Sequence, residues 1–207
     1  MALIIFLTGV FVISLSGAMM PGPVLAVLIS KSHKNKYAGT LVTLGHILVE
    51  LPLILLIWFG FGYFFKFNLI KILVSGIGGI LIIKMGVDIF KARNNFNIPD
   101  IDKSQSNKGI IFGGLIGSLN PYFFIWWATL GSALIFKSLS FGILGLVLFA
   151  AVHFGVDLLW YQGVNLLVFK SHRFWGEKTH KTVFMICSAV LILFGLYFIG
   201  SIFKFIH

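Results

Sequence analysis

Apolar residues run almost unbroken along this chain, and polar residues gather in short clusters between the runs. Six runs reach about 20 residues, the length a helix needs to cross roughly 30 Å of hydrocarbon. They lie at about 2–30, 38–64, 69–91, 109–135, 139–169 and 181–205. The pattern predicts an all-α integral membrane protein with six transmembrane helices in a single transmembrane domain over 1–207. Residues 1–20 lack the basic segment that opens a cleaved signal peptide, so they are expected to belong to the mature chain.

The one long polar connection runs from Asn94 to Asn107 and splits the chain three helices from three, with repeat one at about 1–93, the loop at about 94–108 and repeat two at about 109–207. Landmarks recur in the same order in the two halves. Gly17 and Pro21-Gly22-Pro23 in run one match Gly113, Gly114, Gly117 and Asn120-Pro121 in run four. His46 and Glu50 in run two match His153 and Asp157 in run five. Gly86 to Lys91 near the end of run three matches Gly195 to Lys204 in run six. An odd number of helices per repeat forces the halves into opposite orientations, which predicts two inverted three-helix repeats with a site at their interface.

Charge then orients the chain. Loops one, three and five carry Lys31, Lys34, Lys36, Lys91, Arg93, Lys103, Lys108, Lys170, Arg173, Lys178 and Lys181, against Lys66, Lys71, Lys137 and Lys204 on the other side. Positive loops stay inside, so both termini are expected outside a plasma membrane. The net charge of +10 is therefore an orientation signal, and no nucleic-acid partner is expected. Only 11% of residues are charged, against about 25% in soluble domains. Cys187 is the single cysteine, which excludes an internal disulfide or a thiolate metal cluster. With no Walker loop, HExxH or GxSxG, neither ATP hydrolysis nor a familiar hydrolase is expected, and no enzyme, cofactor or resident metal is assigned.

Two stretches break the apolar runs. Proline removes a backbone donor and clashes with the preceding turn, and glycine admits unusual dihedrals. Unpaired backbone at membrane depth is tolerated only beside protein or a water-filled cavity, so Pro21, Gly22 and Pro23 mark a candidate substrate site, or else a kink that only shapes packing. Asn120, Pro121 and Tyr122 are the matching break, where an amide side chain and a half-helix N-terminus would meet an anionic group.

Ionisable residues inside spans are costly and point to function. His46 and Glu50 are four apart and share a helix face, as do His153 and Asp157; the repeat symmetry would bring the pairs together for proton or ion coupling. Pro52 loosens the helix beside Glu50. Lys84 and Asp88 read more simply as a snorkelling salt bridge. Gly113 to Gly117 and Ser75 to Gly79 have small-residue spacing for close helix packing. Trp58, Trp126, Trp127 and Trp160 fit interfacial anchors, with Trp126 or Trp127 close enough to Asn120-Pro121 to line a cavity.

On Pro21-Gly22-Pro23 and the Gly-rich approach to Asn120-Pro121, over essentially the whole length, the chain resembles the LysE/RhtB family of amino-acid exporters. Gly39, Gly45 and the Gly86 region also fit; loop one, Lys31 to Lys36, departs from an Arg-rich, Gly-containing family loop. The resemblance implies export of amino acids or related small metabolites, coupled to protons or another ion, with alternating access between the repeats. The alternative is a divalent-metal exporter of the cadmium or manganese type using His46, Glu50, His153 and Asp157. The expected partners are a small amino-acid-like molecule, a coupling ion and the lipid bilayer; a homo-oligomer is compatible with the sequence.

Overall fold

The computed structural model describes residues 1–20, 22–60, 67–94, 106–171 and 176–203. Pro21, most of the loop between the halves, the last residues expected of run two and the basic residues Lys66, Lys103, Arg173 and Lys204 lie outside the described residues. Among those described, the chain is helical throughout: α1 (Ala2–Ala18), α2 (Pro23–Ser32), α3 (Ala38–Trp58), α4 (Asn68–Ala92), α5 (Asn107–Ser118), α6 (Pro121–Trp126), α7 (Ser132–Ser138), α8 (Gly142–Lys170) and α9 (Glu177–Ser201). A π-helical turn, Trp127–Gly131, joins α6 to α7, and a 3-10 turn, Leu139–Phe141, precedes α8.

Among the described residues, three stretches are long and apolar enough to cross a membrane: Ala38–Trp58, Tyr122–Lys170 and Glu177–Ser201. The broken pair α1 and α2 brings the number to four. α4 is as long as α9, 25 residues, but carries Lys71, Lys84, Asp88 and Lys91. The 49-residue stretch Tyr122–Lys170 would measure about 74 Å if straight. It folds back instead. Gly142 takes φ +62 just after the 3-10 turn, a conformation that suits glycine. Trp127 on one arm then meets Phe149 and His153 on the other, so the arms run antiparallel.

Packing places α2 at the centre, against α5, α8, α9 and α3. α1 lies on α8, α3 on both α5 and α8, and α4 on α9. Glycine sets the closest of these approaches. A Cβ on Gly45 of α3 would sit 1.9 Å from the Ile111 carbonyl of α5, and one on Gly114 of α5 would sit 2.2 Å from the Val42 carbonyl of α3. The outward faces remain apolar and exposed, with Ile77, Ile80, Leu159, Leu167 and Leu193 among them, as a bilayer-facing surface requires. No inner hydrophobic drive exists in lipid, so such backbone-close contacts are what hold the helices together.

One end of the bundle is strapped by polar contacts. Gln162 and Asn165 of α8 donate their amide hydrogens to the Lys36 carbonyl at 2.8 and 2.7 Å. Gln162 Oε1 in turn accepts from the Thr40 N–H at 2.9 Å, satisfying one of the orphan donors at the start of α3.

Candidate functional site

Each helix contributes a pair of ionisable groups one turn apart, and the crossing of α3 with α8 turns the two pairs toward each other. Glu50 Oε1 is the shared point. His46 Nε2 lies 3.1 Å from it along the same helix, and His153 Nε2 reaches it at 3.1 Å from α8. Asp157 Oδ2 stands 3.6 Å from His153 Nε2. All four residues are buried, with Glu50 and Asp157 each 2% exposed. Glu50 Oε2 and Asp157 Oδ2 are buried without a hydrogen-bond partner. Burying a carboxylate is costly unless it is paired, so two carboxylates in one buried site favour the uptake of a proton or a cation.

Two serines fix the outer nitrogens of the imidazoles. Ser118 Oγ donates to the Gly114 carbonyl at 2.7 Å, so toward His46 Nδ1 it acts as acceptor and that nitrogen carries a hydrogen. His46 Nε2 facing Glu50 Oε1 then needs a second proton, held by the ring or by the carboxyl group. His153 Nδ1 pairs with Ser14 Oγ at 2.7 Å, and its Nε2–H donates to Glu50. The hydroxyl of Ser14 can donate to a neutral ring and accept from a charged one. A proton can therefore shift between His46 Nε2 and Glu50 without breaking the His46–Ser118 contact, and His153 Nε2 can join the exchange when its Nδ1 keeps a hydrogen donated to Ser14.

Aromatic rings close the site. The rings of Trp126 and Phe149 lie near-parallel to that of His153, at 5.5 and 5.8 Å between centroids, and Trp127 meets it edge-on at 5.1 Å. Trp127 is only 1% exposed, so it is a buried wall and not an interfacial anchor. His46 lies between Phe123 and Tyr161, both edge-to-face. A cavity of about 60 Å³ remains, lined by the four ionisable residues with Ser14, Gly17, Ala18, Phe123, Trp126 and Trp127.

Both expected helix breaks lie beside it. α1 stops at Ala18, and α2 restarts with Gly22 extended at its N-cap and Pro23 in its first turn. α5 stops at Ser118, and α6 restarts with Asn120 extended as N-cap and Pro121 in its first turn. Asn120 Oδ1 accepts from the Phe123 N–H at 3.0 Å, while its amide donates to the Gly117 carbonyl at 2.8 Å. A second cavity, about 70 Å³, is lined by Gly22, Pro23, Asn120 and Tyr122 together with Met20, Val24, His46, Phe123, Tyr161 and Phe194. Thus Gly22, Pro23, Asn120 and Tyr122 meet around one cavity, Glu50, Asp157, His46 and His153 around the other, and Pro21 lies outside the described residues.

Lys84 and Asp88 are both exposed, and among the described residues no ion pair joins them, which corrects the salt bridge expected from their spacing. Gly113 and Gly117 face Val27 and Val24 of α2, a packing role. Trp126 and Trp127 both line the first cavity, as their nearness to Asn120-Pro121 allowed, whereas Ser14, Ser118, Phe123 and Tyr161 were not singled out by the sequence as site residues. Only the nearness of Ser118 and Phe123 to Asn120-Pro121 could have pointed to them.

Neither the curated proteins nor the solved structures give a significant match. The family model of the LysE type translocator matches residues 15–201, a range that takes in both helix breaks, both histidine–carboxylate pairs and Ser118. The chain belongs to the LysE type translocator family, a family of membrane transporters.

Proposed function

We propose that the chain is a secondary active exporter of amino acids or related small metabolites, driven by the proton gradient across the plasma membrane. Substrate occupies the cavity between the two helix breaks, and protons load the buried cluster beside it. The observation that carries this reading is the meeting of Glu50 and His153 from opposite halves of the chain, 3.1 Å apart and almost inaccessible. Two imidazoles facing two carboxylates are neutral as a set when they share two protons. Removing one leaves an uncompensated charge in a dry site, a state that favours reopening to water.

The packing is compatible with six spans in two inverted repeats. Exchanging the halves turns the α1–α8 contact into α5–α3, and maps α3–α8 and α4–α9 onto themselves. The same exchange relates the helices of two serine contacts, His46 of α3 with Ser118 of α5 and His153 of α8 with Ser14 of α1, although the serines stand at different registers. Rocking of one half on the other about α3 and α8 would give alternating access. The basic end also supports an inside-positive orientation with both termini outside: Lys36 contacts the C-terminal half of α8, and the ring of His33 meets that of His180 at the start of α9.

One observation favours a second reading. His46, Glu50 and Asp157 can each offer a ligand atom with all three within 4.8 Å of one another, a nitrogen and oxygen set suited to a divalent transition metal as cargo. Proteoliposomes separate the two. A panel of labelled amino acids and divalent metals is assayed with and without an imposed pH gradient, in wild type, Glu50→Gln and Asp157→Asn. Gradient-driven amino-acid flux lost in both variants supports the exporter. Metal flux without amino-acid flux replaces it with the metal reading.

A further inference from the structure

The two cavities are neighbours with a common wall. Among the described residues, His46 and Phe123 alone line both. The four titratable groups sit on one side, where His46 presents Nε2 to Glu50. The helix breaks sit on the other, with Tyr161 against the His46 ring. Phe123 closes the rest of the wall, its ring edge-to-face with His46 at 5.3 Å between centroids and against Trp127 at 6.3 Å. Its backbone N–H is held by Asn120 Oδ1, so the break itself positions the ring. The second cavity also has an outward side: Tyr122 and Phe194 line both it and a groove of about 240 Å³ with Leu193 and Tyr197. Without the ring of Phe123, that route would continue to Glu50.

We propose that Phe123 is the seal between an ion chamber and a substrate chamber, and that His46 is the one side chain through which the two are coupled. The proposal rests on the export reading given above. A closed apolar ring excludes water and so prevents proton leakage around the site. Among the described residues, His46 alone has a nitrogen within reach of Glu50 and also lines the space between the helix breaks. Substrate in that space moves against Phe123 and His46 together. Loading of the carboxylates is then tied to occupancy and does not proceed by itself.

The test measures proton slip with no amino acid present. The full chain is reconstituted in phosphatidylethanolamine–phosphatidylglycerol vesicles containing a pH-sensitive dye, with voltage clamped by potassium and valinomycin. An acid step outside should acidify wild-type vesicles slowly, Phe123→Ala vesicles severalfold faster, and Phe123→Leu vesicles at an intermediate rate. Adding His46→Gln to Phe123→Ala should return the rate to that of wild type. Phe123→Ala as tight as wild type while melting normally overturns the seal. A leak untouched by His46→Gln overturns the coupling role of His46. Should Phe123→Ala fail to fold, Phe123→Leu and Phe123→Val decide, and equal rates in both and in wild type overturn the proposal. Gradient-driven amino-acid flux of wild type is scored separately. Its absence removes the export reading, whereas normal flux beside an unchanged slip removes only the seal.

Discussion

His153 donates from Nε2 to Glu50 Oε1 at 3.1 Å, and through that bond the helix of one half reads the charge of the other. The same oxygen lies 3.1 Å from His46 Nε2, so Glu50 stands between two imidazoles. Glu50→Gln keeps the volume and one oxygen but removes the charge that both rings face. Gradient-driven export is expected to vanish, while purified protein remains folded and monodisperse. Gln carries no titratable proton, so exchange of substrate between the two sides of the membrane without a gradient should survive better than net transport. Equal loss of both, with a normal melting profile, would mean that Glu50 binds substrate directly.

Gly45 offers a purely structural test. A Cβ there would lie 1.9 Å from the Ile111 carbonyl and 2.8 Å from the Leu115 nitrogen, both backbone atoms of α5. Neither can step aside without parting the helices, so Gly45→Ala should cost about 1–3 kcal/mol, as overpacking commonly does. Gly155→Ala is the control, since nothing lies within 4 Å of its Cβ. In the interior of α8 it should be neutral or stabilising by up to about 1 kcal/mol. Thermal melting of the two variants in one detergent measures the difference.

Much of this was legible in the residues themselves. Glu50 and Asp157 stand out because a carboxylate inside an apolar run is rare, and the four-residue step to a histidine places each pair on one helix face whatever the packing. Pro23 and Pro121 marked breaks in their apolar runs because proline removes a backbone donor and clashes with the preceding turn. What stayed hidden depends on rotation of one helix against another. A serine in a helix usually bonds its own backbone one turn back, and nothing local marks Ser14 as facing His153 across the bundle. Phe123 and Phe149 were lost among 23 phenylalanines, since an aromatic ring at a lipid face and one walling a cavity look alike in sequence. The Lys84 and Asp88 spacing misled for a related reason: exposed long side chains hold no single geometry.

Asn120 serves α6 as an N-cap through the 3.0 Å bond from the Phe123 N–H. Asn120→Ala leaves that donor without its acceptor and should cost about 1 kcal/mol, within the usual range for a lost cap. Asn120→Asp keeps an acceptor at the same place. It should restore most of the stability while losing the donor bond to Gly117. A melting series of the three proteins checks the order, with wild type highest and Asn120→Ala lowest.

His33 lies beyond the end of α2, at the basic end of the bundle, and its titration gives a pH dependence of known sign. Burial first, then the neighbouring His180 and Lys34, hold its pKa down from 6.5 to about 3. Its ring packs edge-on against His180 and Phe184, at 5.3 and 5.4 Å between centroids, which leaves little room for a hydrated charge. The unfolded chain binds a proton here near pH 6.5 and the folded chain does not. The contribution to stability is therefore fully present above pH 6.5 and is lost as pH falls from there toward 3. Replacing the titratable ring by His33→Phe should flatten that part of the profile. Melting temperatures of wild type and variant should run parallel from pH 8 to 7, and wild type should fall away more steeply between pH 6.5 and 5. Parallel curves down to pH 5 would show that the ring accepts its proton without leaving the folded state.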